Sequence, residues 1–395
     1  MNRRKLLLFR TALMLIVVVL FEISSAILVR IAAVVRPNLV VESSIENHFG
    51  TVSEAHREKY VDSYYHPERG WDYRPNTVRD HYNSIGQPWR ASIDDSGARR
   101  HPTAEGEPKF TGLLVVASYG DSYTRGGEIN DHETWQYYIE QEIGCGVKNF
   151  GVGGYGTGQA LLKFEAHAAM GRIAPVTILG IHSSNLRRVG NAFRPFINPS
   201  TGIKLGFKPA FRPDGHGGLH FEENRYDDPE MSLTDLKRLA GEVSSHDIGT
   251  EQRARLEFPY SIQALRIARA VLERRLSSPD DLWQNPDESG VMRAIVERFA
   301  QAATAAGSIP LILLFPDNAS IETGKAPVYA SFVAELQSAQ PNLHVIDLST
   351  QDFDAERMQI QPFRGHFSPY GNRIAAGVLK KWLEENASEW VKRCG

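Results

Sequence analysis

The sequence predicts an α/β domain built on a parallel β-sheet. Between residues 111 and 386, short apolar runs alternate with longer segments whose apolar residues recur at helical spacing. Apolar runs without polar alternation are typical of strands that are buried on both faces of a parallel sheet. Five such runs, joined by four crossover connections, predict a flavodoxin-like sheet between two layers of helices.

The predicted elements follow one another through this domain. Strands are expected at residues 113–117, 147–150, 175–181, 310–315 and 343–348. Helices are expected at residues 134–143, 157–171, 291–306, 327–339 and 369–386. An irregular insertion, 186–289, follows the third strand and carries helical pieces near residues 233–243 and 262–276. Because binding loops concentrate where parallel strands end, we expect this insertion to form a wall of the substrate site.

The first 36 residues are different in kind from the rest. A basic cluster, Arg3 to Lys5, precedes an apolar run that continues to Val29. Since about 20 apolar residues cross a bilayer, we expect residues 6–29 to be a single membrane-spanning helix and residues 1–5 a cytoplasmic stub. The basic cluster then places the remaining chain outside the inner or plasma membrane, in the periplasm. Small residues around Ser25 leave a cleaved signal peptide as the alternative. Glu22 is expected near an interface or against a partner helix.

Two segments flank the predicted α/β domain. Residues 36–110 form an extracytoplasmic preamble in which aromatic residues and turn formers are concentrated at 64–76. We expect short strands there that pack over the edge of the main domain, with stacking against sugar rings as the alternative. Residues 387–395 are a C-terminal tail.

Composition excludes several classes of function. The formal net charge of -3 and the absence of long basic runs leave no footprint for nucleic acid. The two cysteines have no metal-site spacing, and the histidines of the glycine-rich stretch 214–220 are more typical of a surface loop. We therefore expect neither a metal nor a cofactor.

A candidate nucleophile follows the first predicted strand. Gly120 breaks that strand, and Asp121 and Ser122 come next, where open α/β sheets bind ligands. Both residue types also cap helices, so this turn alone is a weak signal. Far downstream, His366 lies on a loop just before the last predicted helix. Since a serine hydroxyl needs a base and histidine titrates near neutrality, the two together indicate nucleophilic catalysis.

With these two motifs the chain resembles the SGNH, or GDSL-type, hydrolases over about residues 111–386. The resemblance implies that Ser122 is the nucleophile and His366 the base. It also implies an oxyanion hole made of the backbone N–H groups of Ser122 and Gly154 and the side-chain amide of Asn185. Gly154 lies in a glycine-rich stretch, 149–156, which by itself is equally well explained as a strand-to-helix turn. The third motif is stretched here, so that Asn191 is a rival to Asn185.

The chain departs from the family at the catalytic acid. Members carry an aspartate three residues before the histidine, but Phe363 occupies that position here and Arg364 follows it. Neither side chain can accept a hydrogen bond from an imidazolium. The nearest carboxylates by sequence are Asp347, Asp352 and Asp354. The alternatives are a Ser-His dyad held by a backbone carbonyl, or loss of activity.

These features predict a membrane-anchored, extracytoplasmic serine esterase of the SGNH type. Its location and its resemblance to envelope proteins suggest that it removes or transfers acyl, especially acetyl, groups on an envelope or exported polysaccharide. The alternative is a glycan-binding or assembly protein that kept the fold while the site decayed. A lipase is a weaker third possibility, because the insertion has no broad apolar lid.

Cys145 and Cys394 form a possible disulfide in spite of their separation in sequence. In a flavodoxin-like sheet, the first and last helices pack on one face and end at the same edge. Cys145 follows the first of these helices and Cys394 lies just beyond the last. An extracytoplasmic compartment permits a bond between them. Two unpaired cysteines remain the alternative.

Overall fold

The computed structural model of the chain describes residues 3–83, 85–99, 112–199, 203–214, 218–276, 281–362 and 365–394. Its helices of nine or more residues are, in chain order, α1 (Arg3–Val35), α2 (Val41–Phe49), α3 (Glu54–Ser63), α4 (Trp135–Ile143), α5 (Thr157–Ala169), α6 (Leu233–Val243), α7 (Tyr260–Leu276), α8 (Pro286–Ala305), α9 (Ala330–Ala339) and α10 (Pro369–Asn386). Shorter helices span Ser122–Arg125, Leu186–Val189, Asp281–Gln284, Asn318–Thr323, Ala355–Met358 and Ser388–Val391.

The strands belong to one five-stranded sheet and to smaller two-stranded pairs. In chain order they are β1 (Tyr65–His66), β2 (Gly70–Trp71), β3 (Thr77–Tyr82), β4 (Pro88–Ile93), β5 (Leu114–Tyr119), β6 (Gly146–Asn149), β7 (Val176–His182), β8 (Ala210–Pro213), β9 (Leu219–Glu222), β10 (Ile309–Phe315) and β11 (His344–Asp347). The pairs β1–β2, β3–β4 and β8–β9 are antiparallel.

The five-stranded sheet is parallel and has the order β11-β10-β7-β5-β6. Numbered by their appearance in the chain, its strands lie in the order 2-1-3-4-5, which is that of flavodoxin-like sheets. The switch in strand order falls between β5 and β7, where Ser118 lies level with Ile178. The predicted fold class is therefore confirmed, and the chain leaves β5 at the point where such sheets bind ligands.

Helices cover both faces of this sheet. On one face, α4 and α10 pack against each other and share a buried apolar cluster with the strands, including Val115, Ile139 and Leu379. On the other, α5 packs against α8, and the rings of Phe164 and Phe299 meet edge to face at 5.0 Å. Because both faces are covered, β7 is buried along its whole length, as its mostly apolar sequence predicts.

The chain divides into two compact units. The sheet unit contains residues 61–190, 208–227 and 279–395, and the N-terminal unit contains residues 1–60, 191–207 and 228–278. The insertion 186–289 is thus shared between the two units. In the sheet unit, the β3–β4 hairpin leads to Arg99, whose backbone bridges to Asn149 at the end of β6.

The N-terminal unit begins with α1. This helix of 33 residues is long and apolar enough to cross a membrane, judged by length and composition. α7 lies along it, with Val29 of α1 and Ile267 of α7 in the same buried cluster. Elsewhere in this unit, the buried carboxylate of Asp247 accepts hydrogen bonds from the Asn191 amide and from the backbone N–H groups of Ala192 and Phe193.

Candidate active site

Ser122 is the first residue of a short helix that follows β5. The carboxylate of Asp121 caps this helix by accepting a hydrogen bond from the Tyr123 N–H at 2.8 Å. The turn before it tolerates no side chain, because a Cβ on Gly120 would lie 2.8 Å from the carbonyl oxygen of Gly180 in β7. The serine turn is therefore pressed against the neighbouring strand and holds Ser122 at the carboxyl edge of the sheet.

The structure brings Ser122 and His366 together across 244 residues of chain. His366 Nε2 lies 2.8 Å from Ser122 Oγ. The histidine loop is fixed on both sides: the Tyr123 hydroxyl donates to the Gly365 carbonyl at 2.8 Å, and the Ile360 N–H donates to the His366 carbonyl at 3.0 Å. The imidazole lies over Gly127, where a Cβ would come within 3.0 Å of the ring.

The carboxylate beside His366 is Glu128, which the sequence did not suggest. Glu128 Oε2 lies 2.9 Å from His366 Nδ1. With Nδ1–H donating to this carboxylate, Nε2 is left to accept the serine proton. Glu128 comes only six residues after Ser122 and has no counterpart in the family motif, so the only available signal was a carboxylate in the loop after the nucleophile.

The structure places Glu128 against His366, and not one of the carboxylates considered from the sequence. Asp347 is engaged elsewhere, because its carboxylate accepts hydrogen bonds from the Tyr329 hydroxyl and the Ser349 N–H. Asp354 caps the helix that begins at Ala355. None of the contacts of His366 involves Asp352. Phe363 and Arg364, the positions that raised the question, lie outside the described residues.

The loop that carries Glu128 has an unusual backbone and a buried support. The φ angle of Glu128 is 65°, a left-handed conformation that costs a non-glycine residue on the order of 1 kcal/mol. Arg99 stabilises this loop by donating to the carbonyl oxygens of Arg125 and Ile129 and by pairing with Asp131 at 2.7 Å. Burial lowers the pKa of Arg99 to about 10, which leaves the guanidinium charged at neutral pH.

Two backbone donors near the serine have no acceptor. Among the described residues, neither the Ser122 N–H nor the Gly154 N–H donates a hydrogen bond. Gly154 has a φ of 81°, and its loop is joined to the serine turn by a bond from the Val152 N–H to the Gly120 carbonyl at 3.0 Å. Trp71 fixes this loop from outside by donating from Nε1 to the Gly153 carbonyl at 3.0 Å.

Asn185 lies at the site, but its amide is already engaged. Its Nδ2 donates to Asp121 Oδ2 at 3.0 Å and to the Tyr155 carbonyl at 3.3 Å, while its Oδ1 accepts from the His182 N–H. Arg188 donates to the same two oxygens, at 3.0 and 3.1 Å. Both side chains therefore bind Asp121 to the loop that carries Gly154.

His182 packs against the serine turn from the end of β7. Its ring stacks on the ring of Tyr123 at 4.0 Å. Burial lowers the pKa of His182 to about 4, so this imidazole is neutral at neutral pH. Its neutral ring therefore packs flat against Tyr123, and the Tyr123 hydroxyl binds the histidine loop at the Gly365 carbonyl.

The described residues contain no group of three or more His, Cys, Asp or Glu side chains that could hold a metal ion. Of the two histidines in the glycine-rich stretch, His220 lies on β9 and His216 lies outside the described residues.

Comparison with known proteins gives remote structural likenesses. No family model and no curated protein matches the chain. A putative lipolytic protein of the G-D-S-L family from Desulfitobacterium hafniense is 12% identical, with a TM-score of 0.32 over 68% of this chain and 98% of its own. A member of the lipolytic protein G-D-S-L family from Veillonella parvula is 12% identical, with a TM-score of 0.35 over 68% and 97%.

The psychrotrophic esterase EstA from a Pseudoalteromonas species, solved with monoethylphosphonate as inhibitor, is 10% identical, with a TM-score of 0.33 over 69% of this chain and 99% of its own. Likenesses at these identities and TM-scores carry no argument about activity. The chemistry of this chain has to be inferred from the contacts of Ser122, His366 and Glu128.

Proposed function

We propose that this chain is a serine ester hydrolase of the SGNH type. The observation that carries the proposal is the continuous hydrogen-bonded series from Ser122 Oγ through the His366 imidazole to the Glu128 carboxylate, at 2.8 and 2.9 Å. This is the arrangement that activates a serine hydroxyl: a base next to the nucleophile, and a third group that orients the base.

The proposed reaction has two steps. His366 Nε2 takes the Ser122 proton while Oγ attacks the ester carbonyl, and the imidazolium then gives this proton to the leaving alcohol. A water molecule, deprotonated by the same nitrogen, attacks the acyl-serine; the imidazolium then returns this proton to Ser122 Oγ as the acyl–oxygen bond breaks and the carboxylic acid leaves. If an acceptor alcohol takes the place of water, the same site transfers the acyl group. The Glu128 carboxylate stabilises the imidazolium in both steps.

The oxyanion of the tetrahedral intermediate needs donors beside Ser122. We assign this role to the free N–H groups of Ser122 and Gly154, each of which contributes about 3 to 4 kcal/mol in comparable sites. Asn185 can join them only by giving up its hydrogen bond to Asp121 or Tyr155. We therefore assign Asn185 primarily to positioning Asp121 and the glycine loop.

The proposed substrate is an acyl ester, in particular an acetyl ester, of an envelope or exported polysaccharide. Support comes from α1, whose length and composition suit a membrane anchor, and from the basic cluster in its first turn, which favours a periplasmic site for the remaining chain. The glycan itself is inferred from that location and from the resemblance to envelope esterases.

A fluorophosphonate probe tests the proposed nucleophile. We expect the purified chain to be labelled at Ser122, and Ser122→Ala and His366→Ala variants to lose both labelling and release of acetate from acetylated esters. Unlabelled Ser122 in a folded protein would contradict the proposal and favour a decayed, glycan-binding protein. That alternative was suggested by Phe363 in the place of the family's acid and by the stretched third motif. The contact between Glu128 and His366 bears on the first of these two reasons only.

A further inference from the structure

α7 runs beside α1 in the parallel direction and starts at a glutamate of α1. The Glu22 carboxylate accepts hydrogen bonds from the backbone N–H groups of Tyr260 and Ser261, at 2.8 and 3.2 Å, and from the Ser261 hydroxyl. Further along both helices, Val29 packs with Ile267. The first turn of α7 is therefore level with Glu22, in the middle of the long apolar helix.

This contact explains why a glutamate lies within the apolar helix α1. The first N–H groups of a helix have no partner within the helix, and carboxylates are favourable there. A carboxylate within an apolar membrane helix is costly unless a partner satisfies it. Glu22 and the start of α7 thus supply each other with hydrogen bonds, as expected of two helices that meet in an apolar surrounding.

The outer face of α7 is apolar and uncovered. Outside α1, half of the exposed large apolar side chains of the described residues fall within residues 256–272. They are Leu256, Phe258, Ile262, Leu265 and Leu272, with exposed fractions of 41, 73, 49, 68 and 57%. Within α7, Ile262, Leu265 and Leu272 recur at helical spacing, and together with Phe258 just before the helix they form an exposed apolar stripe.

A groove joins this stripe to α1. It has a volume of about 380 Å³ and is lined only by apolar side chains of the two helices. The lining residues are Leu28, Ala264, Ile267, Ala268, Val271 and Leu272. On the α1 side, Ile23 and Ile27 continue the apolar surface, with exposed fractions of 52 and 55%. The stripe and the predicted membrane span are therefore one continuous apolar surface.

We propose that the apolar side chains of Phe258, Ile262 and Leu265 lie in the bilayer leaflet next to α1, with a lipid acyl chain in the α1–α7 groove. The proposal rests on α1 crossing the membrane. If Arg30 marks the lipid headgroups, Glu22 lies about 12 Å deeper along the helix, since each residue rises about 1.5 Å. Arg269, exposed beyond Leu265, lies toward the headgroups in the same arrangement.

Site-directed spin labelling tests this placement in the full-length chain. Because Cys145 and Cys394 are paired, a nitroxide attaches only to an introduced cysteine. Phe258→Cys and Leu265→Cys report on the stripe. Val17→Cys, on exposed α1, is the membrane control, and Lys59→Cys, at an exposed position of α3 in the same unit, is the aqueous control. The protein is placed in nanodiscs of phosphatidylethanolamine and phosphatidylglycerol.

Nitroxides at positions 258 and 265 should have a higher collision rate with oxygen, which is enriched in lipid, than with a water-soluble nickel chelate. The same result is expected at position 17, and the reverse at position 59. Stripe labels as open to nickel as Lys59 would overturn the proposal, and labels shielded from both reagents would overturn it in favour of a protein partner. If Val17 is also open to nickel, the membrane anchor itself fails. A Phe258→Trp variant repeats the test with little structural change: brominated acyl chains should quench the added fluorescence.

Discussion

In the proposed mechanism, Glu128 supplies the negative charge beside His366 from the loop after the nucleophile, and not from the sequence around the histidine. Its Oε2 contacts Nδ1 at 2.9 Å, so the charge acts on the imidazolium through a direct hydrogen bond. The positive φ of this residue adds to the argument for function, because strained backbone persists where surrounding contacts fix it, often at active sites.

Replacing this carboxylate by an amide tests its role. In Glu128→Gln, the amide can donate to Nδ1 and stabilise the wrong tautomer of His366, so we expect kcat for an acetyl ester to fall by about 10³- to 10⁴-fold. The control is Glu356→Gln, an exposed glutamate on the helix before the histidine loop, which should keep full activity. Equal activity of the two variants would exclude Glu128 as the orienting acid.

The buried carboxylate of Glu140 should make stability depend on pH. Burial raises the pKa of Glu140 on α4 to about 7, above its ordinary value of 4.5. The folded state then binds the proton more tightly than the unfolded chain, so the free energy of unfolding is highest below pH 4.5 and falls as the pH rises to about 7. The whole fall amounts to about 3 kcal/mol.

Glu140→Gln should remove this fall. The amide oxygen can still accept the hydrogen bond from the Val147 N–H and carries no charge to bury. Urea unfolding at pH 5 and pH 8 should therefore show a gain in stability over the parent that is larger at pH 8. Glu142→Gln, on the exposed side of the same helix, serves as the control, and an identical response of both variants would contradict the assignment.

The proximity of candidate site residues was predictable where a motif carried it. Ser122 and His366 follow from a glycine-broken strand and a histidine before the last helix, and the structure joins them at 2.8 Å. Glu128 was not predictable, because its position depends on the path of one loop and not on a periodic pattern. That path is set by contacts to Arg99, a residue distant in sequence.

At the scale of elements, the loop 125–131 depends on a single buried guanidinium. All five donors of Arg99 are used, on Asp131 and on four backbone carbonyl groups that include those of Arg90 and Gly126. The loop has no regular secondary structure around Glu128, so these bonds replace the regular backbone pairing that it lacks.

Removing this guanidinium should destabilise the fold and the site together. Arg99→Met leaves Asp131 buried without its partner, which typically costs about 3 to 5 kcal/mol. We expect a lower urea midpoint and, in the folded fraction, a loss in kcat with little change in KM. Arg90→Met breaks only an exposed pair with Asp80 and should leave both quantities nearly unchanged. Similar midpoints for the two variants would refute the role given to Arg99.

At the scale of the whole molecule, the fold of one unit could be predicted from the sequence much better than the fold of the other. Much of the sheet unit follows from local patterns, because the central strands β5, β7 and β10 are mostly apolar and amphipathic helices alternate with the strands. The N-terminal unit does not, since it assembles three separate segments. Contacts such as Val40 with Ala254 and Asn191 with Asp247 join these segments and leave no periodic signal in the sequence.

The disulfide between Cys145 and Cys394 is the longest-range covalent link in the chain. It joins positions 249 residues apart, with Cα atoms 5.4 Å from each other, as expected if α4 and α10 end at one edge of the sheet. These helices run against the strands, so the bond lies at the amino edge, opposite the carboxyl edge that holds Ser122. It should therefore contribute to stability and not to catalysis.

Reduction tests this separation of roles. Opening a loop of this length should destabilise the fold by about 2 to 4 kcal/mol, since the unfolded chain regains conformational freedom. We expect a reducing agent to lower Tm and to leave kcat/KM at 25 °C unchanged. A Cys145→Ser, Cys394→Ser double variant should have the lower Tm from the start and not respond to the reductant. Loss of activity in a folded, reduced protein would show instead that the amino edge influences the geometry at Ser122.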